Sequence, residues 1–352
     1  MGYDRDQDRN RIAMKLCIGT AKGIVILDPA RGSTPLMVLA DPSPIWCMAQ
    51  DSADPACIYA ASNDLIAHGR APFARSTDGG RTWAEMPPQN AREEEIWAMA
   101  ASPEVPGQVF LGTSHGRLLR SDDRGRTFHE VTAFLKVSGR DRWSFPPPPH
   151  IPHVRSISFD PNLPALMYVG VEDGGVFRTH DAGESFESLN SGLYDDVHTV
   201  AVDPTDSRRL YATTGRGFYI SKNAGGSWHQ VTAGFSRTYT VPLLVTGGEE
   251  HPAIFTAAAA TPPPMWRVGM RGADSMMFRS DDHGESFHTV ERVAGAHRGM
   301  VMRFRAAPGA DGDFFAVSDD GMVTRTIVDG TQSAPVIIAE KLPPAYDLVV
   351  VP

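Results

Sequence analysis

The sequence predicts an all-β fold: a seven-bladed β-propeller, four strands to a blade, closed by pairing the two ends of the chain. Three observations lead there. An eight-residue motif recurs five times, a constant set of short strands surrounds each copy, and three strands at the N-terminus stand opposite one lone strand at the C-terminus. With 352 residues, 41% hydrophobic and 21% charged, the chain carries enough apolar material for a core and too little charge for disorder. Closed all-β folds commonly reach this length as one unit. The expected organisation is a polar tail over residues 1–13 followed by one propeller domain over residues 14–352.

The motif copies are STDGGRTW (76–83), SDDRGRTF (121–128), THDAGESF (179–186), SKNAGGSW (221–228) and SDDHGESF (280–287). Their common form is S/T-x-D/N-x-G-x-S/T-W/F, which suits a hairpin turn. The Asp or Asn oxygen accepts backbone N–H groups of its own turn, and Gly supplies the positive φ such a turn needs. The closing aromatic then packs as a plug between strands.

Around each copy the order is constant. An apolar run comes first (IWCMAQ, IWAMAA, VRSISF, HTVAVD), then a short strand (IYAAS, VFLGTS, LMYVGV, LYATT, IFTAA), then a third strand leading into the motif. A period of 40 to 60 residues fits one blade per repeat. Five motif-bearing blades fall at about 45–90, 95–135, 153–192, 197–235 and 239–292, and a sixth, without the motif, is spelled by MVMRFRAAP, DFFAVSDDG, MVTRTIV and PVIIAE. KLCIGT, GIVILDP and PLMVLA supply three strands, and the C-terminal YDLVVVP supplies the fourth of a seventh blade. Closing the ring this way removes exposed edges.

The motif resembles the Asp-box, or BNR repeat, of sialidases, sortilin-type receptors and related propellers, over roughly residues 40 to 290. The resemblance implies that the boxes lie on the outer rim, away from the functional face. It also implies that the loops before each innermost strand share that face with the turns between second and third strands. Sialidase activity itself is not implied, because the Arg-Ile-Pro motif is lacking; Arg11-Ile12-Ala13 in the tail is the nearest match.

The positions assigned to that face carry a dense set of titratable groups. Trp46, Glu95, His150, His153, Arg155, His198, Arg237, Tyr239, His297 and Arg298 precede or open innermost strands, while Lys22, Asp64, His115, Glu172, Arg216 and Asp319 occupy second-to-third turns. His115, His153, His198 and Glu172 are the candidate catalytic residues. Arg155, Arg216, Tyr239, His150, Glu95 and Trp266 are the candidate substrate-binding residues. Two insertions, 132–152 with its WSFPPPPHIPH run and 257–276 with Trp266, are expected to wall the same pocket, since a polyproline run is stiff and needs no ladder partners.

An enzyme acting on a small polar or anionic molecule in the funnel is the leading expectation. It would work by His/Glu acid–base chemistry, or by metal-assisted hydrolysis or elimination, with His115, His153 and His198 holding a divalent transition metal. The alternative is a noncatalytic propeller that binds a sugar, a peptide or a protein on the same face. A formal net charge of −9 argues against nonspecific binding to nucleic acid or anionic membranes. No window approaches the roughly 18 apolar residues a membrane helix needs. Cys17, Cys47 and Cys57 give no even disulfide framework, and the charged N-terminus lacks an apolar signal core, so a reduced, cytoplasmic protein is expected.

Overall fold

The computed structural model describes residues 14–30, 34–40, 44–64, 73–86, 95–246, 252–266, 272–291, 299–310 and 312–351. They form seven four-stranded antiparallel sheets arranged as a seven-bladed β-propeller. Among the described residues no helix is long and apolar enough to cross a membrane.

The first blade is assembled from both ends of the chain: Ala345–Val351 is its innermost strand, followed outward by Lys15–Thr20, Gly23–Leu27 and Leu36–Ala40. Lys15 pairs with Val351 and Gly19 with Asp347. The other six blades run in chain order from the axis outward, with inner strands Ile45–Gln50, Ile96–Ala101, His153–Phe159, Val197–Asp203, Tyr239–Thr246 and Val301–Ala306. Each inner strand packs beside the next around the axis, and Ala345–Val351 sits between the seventh and second blades.

Second strands such as Ile58–Ser62, Val109–Thr113 and Phe314–Ser318 are buried along their whole length, because both faces meet a neighbouring blade. The core is therefore a ring of inter-blade clusters. Tyr59, Phe73 and Phe128 join the second and third blades, Phe134 and Phe177 the third and fourth, and Phe255 and Phe314 the sixth and seventh.

The five repeated turns join third to fourth strands, as the sequence predicts. In the copy at 121–128, the Ser121 hydroxyl accepts the Gly125 N–H at 2.8 Å and donates to Asp123 Oδ1 at 2.8 Å. Asp123 in turn accepts the N–H and the hydroxyl of Thr127, at 2.9 and 2.7 Å. Gly125 has φ 78°, and the motif glycines Gly80, Gly183, Gly225 and Gly284 share that left-handed region. The closing Phe128 stands edge-on to Phe73 of the preceding blade, 5.4 Å between centroids. Burial pushes the Asp123 carboxyl up, but the Thr127 and Ser121 bonds outweigh it and hold the group at about 2.

A buried ion cluster spans the first, second and seventh blades inside the channel. Asp347 Oδ2 accepts the Met48 N–H at 2.9 Å, and Oδ1 lies 3.2 Å from Arg303 Nε and 3.1 Å from Arg305 Nη2. Cys17, Cys47 and Cys57 are free and buried, and burial pushes their thiols up.

Candidate active site

Every inner strand is bulged near its first residues. The extra residue, left out of the pairing, is Tyr346, Trp46, Trp97, Arg155, His198 and Met302 in six blades, and Val241 with Pro242 in the remaining one. A bulge re-aims a side chain out of the alternation a regular strand imposes. Here Tyr346, Trp46, Trp97, Arg155, His198, Val241 and Met302 all line one cavity of about 730 Å³ at the axial mouth. Because strands alternate in direction, the repeated turns lie at the opposite end of each blade.

One wall of the cavity is aromatic. Trp46 lies 5.5 Å from Trp97 and 4.8 Å from Tyr346, centroid to centroid, and the Arg155 guanidinium sits 5.1 Å over the Trp46 ring. Phe145, from the 132–152 insertion, packs 6.0 Å from Trp97. Trp266 stands edge-on to Tyr239 at 5.8 Å, fixed by its indole N–H to the Thr261 carbonyl. Both insertions thus contribute to the cavity, although Trp143 turns inward to pack with Phe134 and Phe177. Asp319 and Asp320 close the side at the seventh blade, where they accept the Met300 and Gly299 N–H groups.

Adjoining this wall, a second pole is charged and buried. Glu172 Oε2 accepts His153 Nε2 at 2.7 Å and lies 3.3 Å from Arg155 Nε. His153 does not reach the cavity itself: it is buried beneath, stacked at 3.8 Å on Trp97 and flanked by Phe145 at 4.5 Å. His198 is 3% exposed; its Nδ1 donates to the Thr240 carbonyl at 2.5 Å, and its Nε2 faces Asp196 Oδ1 at 3.3 Å. That last approach is an ion-pair contact without hydrogen-bond geometry, so both atoms are buried and unbonded. Gly215 leaves the room that the Asp196 carboxylate occupies, since a Cβ there would stand 2.0 Å from Asp196 Oδ2. One donor atom each from Glu172, Asp196 and His198 converge within 4.8 Å of one another.

The fields of these groups act on each other. Burial raises the Glu172 carboxyl, but His153, His198 and Arg155 outweigh it and hold the group well below the usual carboxylate range. Burial disfavours a charged His198, yet Asp196 and then Glu172 outweigh it and raise the ring above its ordinary value. Asp173 next door is raised by burial and by Asp196, Asp195 and Glu172. Tyr239 is raised by burial and by Glu172 and Asp196.

Of the residues expected on this face, Trp46, Arg155, Glu172, His198, Tyr239, Trp266 and Asp319 line the cavity. Others do not. His115 is exposed on a turn with φ 60°, so His115, His153 and His198 do not form one ligand group. Arg216 is exposed and stacks over Tyr194 at 4.6 Å, too far round the rim to wall the cavity. His150 is exposed, with Nδ1 donating to the Phe145 carbonyl, and acts on the wall loop instead. Glu95 accepts the Trp97 indole N–H at 3.2 Å and so orients a wall residue. His297 and Arg298 lie outside the described residues. Phe145, from the insertion expected to wall the pocket, lines it as well, whereas Asp196, Trp97 and Tyr346 belong to the site and were not expected.

No protein-family model matches the chain. It is 27% identical over 149 residues to a probable oligoxyloglucan-reducing end-specific xyloglucanase of Neosartorya fischeri, covering 40% of this chain and 17% of that protein. It is 22% identical over 230 residues to an oligoxyloglucan-reducing end-specific xyloglucanase of Emericella nidulans, covering 56% of this chain and 27% of that protein. The chain thus spans well under a third of the length of these relatives. Among solved structures, it resembles the GH74 xyloglucanase of Xanthomonas campestris, with TM-score 0.68 and 16% identity over 93% of this chain and 53% of that one. YCF48 bound to D1 peptide matches with TM-score 0.61 and 13% identity, over 92% and 91% of the two chains. The periplasmic gluconolactonase of Pseudomonas aeruginosa matches with TM-score 0.62 and 15% identity, over 96% and 99%. At these identities the likeness to solved structures establishes the fold, a β-propeller.

Proposed function

We propose that the protein is a hydrolase acting on a small, polar, ring-shaped substrate of the saccharide or sugar-lactone class, bound at the axial mouth. The observation that carries this reading is the pairing of an aromatic wall with a buried acid–histidine pole in one cavity. Flat Trp and Tyr faces hold the apolar face of a sugar ring, while Asp319 and Asp320 suit its hydroxyls. At the pole, Glu172, Asp196 and His198 can polarise a scissile bond or activate water, either by proton transfer or by holding a metal ion. Arg155 is poised to steady negative charge on the reacting oxygen. We read the repeated turns as Asp-boxes, with a purely structural role at the far end of the blades. That curated relatives are named as xyloglucanases and one fold neighbour as a gluconolactonase supports a saccharide-related substrate. A cytoplasmic location remains part of the proposal.

A panel of chromogenic glycosides, oligosaccharides and sugar lactones tests the reading. Turnover that Glu172→Gln abolishes, with the fold intact by circular dichroism, is the expected result. The peptide-bound structure among the fold neighbours favours a second reading, a noncatalytic binding platform. That reading prevails if ligands bind and Trp46→Ala or Trp97→Ala removes the binding, but nothing is turned over.

A further inference from the structure

From the donor geometry at the pole we infer that Glu172, Asp196 and His198 hold a divalent first-row transition ion. The inference deepens the hydrolase reading by naming what activates the water, yet the site stands or falls on its own measurement.

The ring of His198 supplies the first step. Its Nδ1 sits 2.5 Å from the Thr240 carbonyl oxygen, and a carbonyl can only accept, so Nδ1 carries a proton. In the neutral form that ion binding requires, the ring presents its Nε2 lone pair to Asp196 Oδ1 at 3.3 Å, with both atoms buried and outside hydrogen-bond geometry. Two acceptors facing each other away from water repel unless a positive centre stands between them. A proton would satisfy that pair alone. It would not explain why a Glu172 carboxylate oxygen also converges, so that the three donor atoms all lie within 4.8 Å.

Other features agree. An imidazole that binds a metal through one nitrogen typically donates its other N–H to a backbone carbonyl, which fixes the tautomer; Thr240 does this here. Glu172 engages His153 and Arg155 through Oε2, which fixes the carboxylate beside the other two donors. Asp173 and Asp195 add negative charge around the group, set against the Arg155 guanidinium. Glu172 and His198 line the cavity, so the remaining coordination positions would open toward substrate. One imidazole with two carboxylates suits Mn²⁺, Fe²⁺ or Zn²⁺.

The purified 352-residue chain, stripped with EDTA and dialysed, is titrated with ZnCl₂ and with MnCl₂ by calorimetry. One site per chain is expected, with a rise in melting temperature on ion addition that EDTA reverses. Asp196→Asn and His198→Gln should weaken binding by more than the roughly tenfold that loss of a supporting partner costs. His115→Ala, on the exposed turn, should leave it unchanged. Absence of binding and of any melting shift in the wild type overturns the inference, and the His198–Asp196 contact is then a plain ion pair. Binding that survives both ligand substitutions overturns it as well. The melting shift needs no variant, so misfolding of a substituted protein cannot mask the result. Ion binding without hydrolysis leaves the site intact and removes the hydrolase reading, whereas hydrolysis in an ion-free protein keeps that reading and removes the ion's part in it.

Discussion

Asp347 ties three blades together, and its removal should loosen the closure of the ring. In Asp347→Ala the Met48 N–H loses its acceptor, and Arg303 and Arg305 lose the carboxylate that lies 3.2 and 3.1 Å away. Breaking a buried pair from one side typically costs about 3–5 kcal/mol, because the orphaned charge stays behind. Both guanidinium groups still reach water in the channel, which favours the lower end of that range. An unfolding entropy of about 2.1 cal/mol/K per residue gives this chain roughly 0.7 kcal/mol/K, so the expected fall in melting temperature is about 4–7 °C. Asp347→Asn keeps an acceptor for Met48 while removing the charge, and should fall between the wild type and the Ala variant. Differential scanning calorimetry at fixed pH and salt measures all three. A melting temperature for Asp347→Ala that matches the wild type would refute the assignment of this cluster to ring closure.

Four further outcomes follow from the geometry. Gly215→Ala places a methyl group 2.0 Å from Asp196 Oδ2; it should abolish turnover and ion binding with a smaller melting loss than Asp347→Ala, and unaltered activity would mean the Asp196 position is immaterial. Asp123→Ala should lower stability by about 1–2 kcal/mol by urea titration and leave ligand affinity untouched. Asp78, Asp123 and Asp181 have folded-state values of about 2, below the unfolded value of about 3.9; their contribution is complete above that unfolded value and lost as pH falls toward 2, so melting temperature should drop steeply over that window. Deleting residues 345–352 exposes the edge of Lys15–Thr20 and uncovers Leu16, Cys17 and Ile18, which pack against the lost strand, and aggregation in light scattering is the expected outcome.

The fold was legible because its signals are local and repeated. Ser, Asp and Gly at fixed offsets specify the same hydrogen-bonded turn wherever they occur, and five copies fix the period. The closure was legible for a different reason: KLCIGT, GIVILDP and PLMVLA lack a fourth strand, and YDLVVVP supplies it. The site was only partly readable. Arg155, Glu172 and His198 occupy chain positions that face the axis whatever the loop conformation. His115, Arg216 and His150 sit in turns and loops, where a single φ or a neighbouring ring decides the direction of the side chain; His115, at φ 60°, is exposed and does not line the cavity. Asp196 reads as an ordinary loop residue in SGLYDDVHTV, and only its contact with Gly215 distinguishes it. Trp97 did leave a signal, since IWCMA and IWAMA place it in register with Trp46.

The ring of bulges turns the mouth into something like a keyboard, with one key per blade. A bulged residue takes no part in pairing its own strand, so exchanging it need not disturb the blade that carries it. Neighbouring keys nevertheless differ in independence. Tyr346, Trp97 and Arg155 each touch Trp46, and substitutions within this series should show epistasis centred on Trp46. Val241 and Met302 lie outside that series, and their substitutions should combine additively with it. A lineage or a designer changing ligand preference would then find two routes: single steps at Val241 and Met302, and concerted replacements along the aromatic arc.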